Sequence, residues 1–263
     1  MSFSQVLSSI TAAESGYRIT VGDAWLQGRA TFGGLVAAVG NEVMRKLVPQ
    51  DRPLRSLQTT FVGPATPGTW RINARILRVG KAVTLAHCEV LDGDQVAATL
   101  VGVYGSARPS LVTVTPQPTL AVRNVETINE VRYRGEKEWA FRQHFAMRWA
   151  QGNKPFSGSP NAPTQAFIRH RDPAPLTESH IVALVDCIPT PALSMFAAPA
   201  PASSLVWTLE FFEHKFDFAP GAWWRIDTHI DAATSGYVNQ TGTLSNPDGQ
   251  PVALTRQLFV VFG

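Results

Sequence analysis

Residues 179–188 read SHIVALVDCI and are followed by Pro189, an apolar run holding a single carboxylate, Asp186. Ile181, Val182, Leu184, Val185 and Ile188 leave almost no polar face, which is the composition of a short buried helix. Pro189 lacks an N–H and crowds the backbone four residues back, so the helix should stop near it. Asp186 then lies at the negative end of the helix dipole, where an anion is disfavoured, and an unpaired buried carboxylate is costly in any case. Burial of this kind raises a carboxyl pKa towards the range in which a general base works. A structural Asp that pairs with an arginine or caps a turn would show the same pattern, and a shorter helix would leave it in solvent.

Two further side chains join Asp186 as candidates, the hydroxyl of Ser204 and the amide of Gln257. A carboxylate can take a proton from water, while a hydroxyl and an amide fix that water's orientation. No histidine, cysteine or Gly-x-Ser-x-Gly elbow accompanies them, which favours direct attack by a held water over a covalent intermediate. The plain alternatives are an ordinary strand serine and a solvated edge glutamine.

The elements that must position these residues occur twice. GGLVAAVGNEV from Gly33 lies over SHIVALVDCIP from Ser179, SLQTTF from Ser56 over SLVWTLEF from Ser204, and PGTW from Pro67 over PGAW from Pro220. VAAT from Val96 lies over VALT from Val252, and GVYG ending at Gly105 resembles VVFG ending at Gly263. The offset drifts from 146 (179 − 33) to 156 (255 − 99), as small loop insertions would cause. In the first half Thr31 caps a helix predicted to run to about residue 48, and strands follow at 54–62, 69–79, 82–91 and 95–105. Gly80-Lys81 and Asp92-Gly93 supply turns between them. In the second half strands are predicted at 141–149 and 165–171, Thr177 caps the helix, and strands return at 204–216, 222–232, 236–244 and 252–262. One helix against several long antiparallel strands, done twice, is an α+β layout whose two sheets could join edge to edge. The expected organisation is a repeat over 1–105, a crossover over 106–139 and a second repeat over 140–263.

Shared positions carry the fold, so positions that differ in polarity are candidates for function. Aligned by sequence, Asp186 falls opposite Gly40, Gln257 opposite Val101 and Ser204 opposite Ser56.

The whole chain excludes several classes. Its 263 residues, 44% hydrophobic and 16% charged, describe a folded globule, and a net charge of +3 without a basic run argues against nucleic-acid binding. No apolar run reaches membrane-spanning length and no secretion signal is visible, so a cytoplasmic protein without membrane insertion is expected. Cys88 and Cys187 lack metal or redox spacing and the six histidines form no H-x-x-x-H pair, so no metal is expected.

The order of the Asp186 helix, SSLVW at Ser204 and ALTRQ at Gln257 resembles the double hot-dog acyl-CoA thioesterases, the group of bacterial thioesterase II and its peroxisomal relatives. FGGLVAAV, RSLQTTFVGPATPG and VAATLVGVYG are similar to that family's first repeat. The resemblance implies a tandem hot-dog fold and hydrolysis of acyl-CoA to free acid and CoA without a cofactor. It assigns the water-positioning triad to Asp186, Ser204 and Gln257, with adjacent Ser203 as the alternative hydroxyl. It also implies an acyl-CoA partner and a homodimer or higher homo-oligomer. Members often carry a His where this chain has Gln58, and an Asp-His pair where it has Val206-Trp207. Gly33 and Gly34, opening the first helix, are candidate oxyanion donors, and Gln58 is a candidate substrate contact. Trp207, Trp223 and Trp224 would line an acyl tunnel or belong to the core. The rival readings are an enoyl-CoA hydratase on the same scaffold and a non-catalytic acyl-CoA or fatty-acid binding protein.

Overall fold

The computed structural model describes residues 1–118 and 120–262. A short helix α1 (Phe3–Ser8) leads into β1 (Thr11–Ala12), β2 (Tyr17–Val21), β3 (Leu26–Gln27) and β4 (Ala30–Thr31). Helix α2 (Gly33–Arg45) follows, then the long strands β5 (Leu54–Phe61), β6 (Gly68–Val79), β7 (Val83–Asp92) and β8 (Gln95–Gly105). After residues 106–144, whose described residues form 3₁₀ turns and one isolated bridge from Glu130 to Arg148, the order repeats. β9 (Phe145–Gln151) and β10 (Thr164–His170) precede α3 (Glu178–Val185), and β11 (Ala202–Phe211), β12 (Trp224–Thr234), β13 (Tyr237–Ser245) and β14 (Pro251–Val261) close the chain.

Twelve strands form one antiparallel sheet in the order β1-β2-β6-β7-β8-β5-β11-β14-β13-β12-β10-β9. The repeats meet where β5 pairs β11, so the expected edge-to-edge join is present and each repeat covers an edge of the other. Helices α2 and α3 lie against the inner face, and the core gathers around Leu35, Val36, Val39, Val182 and Leu184 with Trp70, Trp207 and Trp224. Trp207 and Trp224 are therefore core. Trp223 is only half-buried, and the guanidinium groups of Arg148 and Arg169 lie over its ring at 4.6 and 4.3 Å.

The register corrects the pairing of the repeats made by sequence. A bulge falls at Arg55 in β5 and at Leu205 in β11, an offset of 150 (205 − 55). Beside these bulges Leu54 pairs Tyr104 as Ser204 pairs Phe259, and Leu57 pairs Gly102 as Trp207 pairs Gln257. The counterparts of Ser204 and Gln257 are therefore Leu54 and Gly102, not Ser56 and Val101. Burial agrees: β8 turns Ala98, Leu100 and Tyr104 inward, whereas β14 turns Ala253, Thr255, Gln257 and Phe259 inward. A slip of one residue exchanges the faces of a strand, and the matched letters of VAAT and VALT carry no information about face.

Other boundaries moved for local reasons. Helix α2 is capped by Phe32, whose side chain accepts nothing, while Thr31 ends β4 with a buried hydroxyl that has no partner. It also stops at Arg45, short of residue 48. Phe141 belongs to a 3₁₀ stretch before β9, and β11 ends at Phe211 rather than 216. Thr177 does cap α3, in a box closed by His180.

Candidate active site

Helix α3 ends one residue before Asp186, which holds the C-cap position in a right-handed conformation. The residue is half-buried, its carboxyl group is enclosed, and that group meets two donors. Gln257 reaches across from β14 and donates from Nε2 to Asp186 Oδ1 at 2.7 Å. The backbone N–H of Gly34, in the first turn of α2, donates to the same carboxylate. The N-terminus of α2 thus faces the C-terminus of α3, and its positive end offsets the dipole that made this position adverse in the sequence. Burial pushes the Asp186 pKa up to about 7, and the bonds from Gln257 and Gly34 pull it down without cancelling the rise.

The glycines permit this approach. A Cβ on Gly33 would lie 3.1 Å from Asp186 Oδ2 and 3.2 Å from the Phe61 ring. On Gly34 it would lie 2.5 Å from the Phe32 ring and 3.0 Å from Asp186 Cβ. Gly34, expected with Gly33 as an oxyanion donor, turns its N–H towards the Asp186 carboxylate. Gly33 N–H keeps only a long 3.5 Å contact to Gln27 Oε1.

Ser204 is half-buried, and the bulge at Leu205 puts it on the inner face with Phe259 and Gln257. Among the described residues its hydroxyl bonds to neither Asp186 nor Gln257. Ser203 is exposed and pairs with Val260, one residue out of phase with that face. Gln58 departs from expectation: it is exposed on the outer face of β5, between Thr208 and Val101, while its neighbours Leu57 and Thr59 point inward. Alternation along a strand separates it from Asp186 by the thickness of the sheet.

One polar residue escaped the sequence reading. Gln240 of β13 sits directly across from Gln257, buried, with its Oε1 unpartnered. The signal was an amide at an inward position of an alternating strand, unreadable without the face assignment.

The first repeat shows what the same location becomes without these groups. Asn41 donates to Ser179 Oγ at the start of α3 as Asp186 meets Gly34 at the start of α2, so Asn41, not Gly40, is the counterpart of Asp186. Tyr104 folds over Gly102, where a Cβ would be 2.6 Å from its ring, and its hydroxyl donates to Asn41 Oδ1 at 2.8 Å. Ala86 pairs Gly102 where Gln240 pairs Gln257. Asn41, Gly102, Leu54 and Ala86 thus replace Asp186, Gln257, Ser204 and Gln240, and a tyrosine ring fills the vacated space.

Known proteins share the family and the fold of this chain. The profile of the acyl-CoA thioesterase N-terminal domain matches residues 21–105 and that of the acyl-CoA thioesterase C-terminal domain matches residues 125–261. No curated protein sequence matches the chain significantly. Among solved structures, a hot-dog protein of unknown function from Alicyclobacillus acidocaldarius is 19% identical with a TM-score of 0.86, covering 99% of this chain and 98% of its own. The acyl-CoA thioesterase II TesB2 of Mycobacterium marinum is 16% identical with a TM-score of 0.78, covering 99% and 98%. The tesB protein of Mycobacterium avium subs. paratuberculosis is 14% identical with a TM-score of 0.78, covering both chains fully (100% each). These likenesses show the tandem hot-dog fold. No described helix is long and apolar enough to cross a membrane.

Proposed function

The chain belongs to the acyl-CoA thioesterase family, a family of thioester hydrolases, and on that footing we propose that it hydrolyses acyl-CoA through a water activated by Asp186. The observation that carries the reading is the 2.7 Å bond from Gln257 to a carboxylate whose pKa stands at about 7, a pair absent from the otherwise matching first repeat. A base with that pKa is half ionised at neutral pH and strong enough to take a proton from water as the water attacks.

In this mechanism the water's oxygen bonds to the thioester carbon while its proton passes to Asp186. The carbonyl oxygen becomes an oxyanion beside the N-terminus of α2, whose dipole and Gly33 N–H oppose its charge. Collapse re-forms the carbonyl and breaks the C–S bond. The departing thiolate takes the proton from Asp186, leaving carboxylic acid, free CoA and a restored carboxylate. Gln257 holds Asp186 in place, Gln240 stands against Gln257, and Ser204 on the same inner face orients the water. Substrate positioning on the first-repeat side falls to Gly33 and Phe61 rather than to Gln58.

Asp186→Asn keeps the shape and removes the base. We expect CoA release, followed with a thiol reagent over short, medium, long and aromatic acyl-CoAs, to fall at least about 10³-fold. Near-native turnover in a folded variant would refute the general-base role. A wild-type protein that binds acyl-CoA but frees no thiol from any of them would favour the binding-protein or hydratase reading.

A further inference from the structure

A second concentration of unpaired charge lies away from Asp186. A groove of about 880 Å³ runs between the β6–β7 turn and the chain leaving β8, and its walls include Arg78, Lys81 and Arg108. A second groove of about 460 Å³ shares Arg108 and Pro109 with it and adds Arg55. Among the described residues no carboxylate lines either groove, and the one carboxylate tied to their shared wall is Asp51, which accepts from Ser106 Oγ at 3.3 Å. Among the described residues none of these four cations forms an ion pair, although the chain as a whole carries a net charge of only +3. Arg78, Lys81 and Arg108 line one concave surface and Arg55 and Arg108 the next, and like charges so placed repel one another, which an anion relieves.

The local structure fixes this cluster. Arg55, at the β5 bulge, donates from Nε to Gly105 O at 2.9 Å and meets His214 Nε2 at 2.7 Å. Burial holds the His214 pKa down at about 4, so at neutral pH this ring accepts from Arg55 and adds no charge. Arg52, just behind, donates to Lys81 O at 3.1 Å and ties the β6–β7 turn to the start of β5. Among the described residues, no side-chain donor of Arg78, Lys81 or Arg108 is hydrogen-bonded or ion-paired.

The cluster is specific to the first repeat, as Asp186 is to the second. The counterpart of Arg55 at the β11 bulge is Leu205, and the β12–β13 turn carries Ser235-Gly236 where the β6–β7 turn carries Gly80-Lys81. The fold therefore does not require these cations. Arg55 stands six residues from Phe61 along β5, about 20 Å at strand rise, and Phe61 marks the Asp186 end of that strand.

We propose that this double groove is a binding site for a small molecule carrying two or more phosphate groups, separate from the hydrolytic site. Arginine forks and a lysine point charge are the side chains that recognise phosphate oxygens, and two lobes sharing Arg108 suit two linked phosphates better than one. The volume is that of a small-molecule site. The inference is independent of the hydrolase reading, since binding is measured without substrate.

The test is calorimetric titration of the full chain with inorganic pyrophosphate and, separately, with ADP. The variants are Lys81→Glu and Arg108→Glu, each checked for an unchanged melting temperature. We expect the wild type to bind at least one probe, more weakly as salt rises, and each reversal to weaken binding at least 10-fold. Pyrophosphate binding as tight as ADP assigns recognition to the phosphates alone, and tighter ADP binding adds a nucleoside subsite. CoA-release kinetics with acyl-CoA should keep kcat and KM within about twofold of wild type in both variants. Wild-type protein that binds neither probe, or variants that bind as wild type does, would overturn the site. A KM that rises in step with the loss of probe binding would overturn its separateness and make the groove part of substrate docking.

Discussion

Asp186 is poised by opposed environments, and its behaviour follows from their balance. In the proposed mechanism hydrolysis requires the carboxylate, so kcat/KM should rise with pH through an inflection near 7. Gln257→Ala removes one of the two bonds that pull this pKa down, so the inflection should move to higher pH and turnover should fall by about 10- to 100-fold. A shift to lower pH would contradict the assignment. The folded-state pKa lies above the ordinary 3.8, so the native state holds this proton more firmly than the unfolded chain does. Stability from that source is present below pH 4 and is lost as pH rises through about 7. Asp186→Asn should accordingly melt no lower than wild type at pH 8, while losing activity. Gln240 makes a sharper case, because it stands across from Gln257 in the strand register. Gln240→Leu, which adds no charge, should lower kcat several-fold with KM little changed and should displace the acid limb of the pH profile. A fold-only role would leave that limb where it is.

At the scale of elements, the site exists because two helix ends of opposite polarity are packed together. The α2 N-terminus supplies a donor and a positive end to a carboxylate placed by the α3 C-terminus, and two glycines let the backbones close. Gly34→Ala puts a methyl 2.5 Å from the Phe32 ring and 3.0 Å from Asp186 Cβ. We expect about 1–3 kcal/mol of destabilisation from this overpacking, measured by denaturant unfolding, and a large loss of kcat as Asp186 is pushed from Gln257. The long strands from β5 to β8 and from β11 to β14 were legible to within a few residues because alternation and turn residues mark them. Helix α1 and the short pairs β1–β2 and β3–β4 were not, since elements of two to six residues show little periodicity and are held by tertiary contact.

At the scale of the whole molecule, α1 is fastened to the second repeat by a buried histidine cluster. His180 Nε2 meets Ser4 Oγ at 2.9 Å, His170 donates to His180 O at 2.8 Å, and Phe3 packs on both rings. His144 stacks on Trp25 at 3.7 Å beside them. Burial holds all three pKa values down, to about 3 for His170 and about 4 for His144 and His180. Depressed values mean that the unfolded chain binds more protons between pH 6.5 and 4, so stability is full above 6.5 and falls as pH drops through that window. Thermal melts should show a loss of about 10 °C between pH 7 and pH 4.5. A flat profile would show that the cluster is already open at neutral pH. The same scale separates the repeats: one keeps Asp186 and Gln257, while the other closes the matching space with Tyr104 over Gly102.

The sequence by itself determined the duplication, the α+β layout of each repeat and the oddity of Asp186, because composition and periodicity are local properties written residue by residue. It also paired Asp186 with Gln257, which the 2.7 Å contact joins across 71 positions of chain. Only the tertiary structure decided which residues of the first repeat stand in their place, because a bulge at Arg55 and another at Leu205 set the strand faces and no letter match records a face. It alone turned Gln58 outward, brought Gln240 beside Gln257, and gave the adverse end of α3 a helix N-terminus to face. Those outcomes depend on strand register and on which helix ends meet, and both are fixed by packing between segments far apart in the chain.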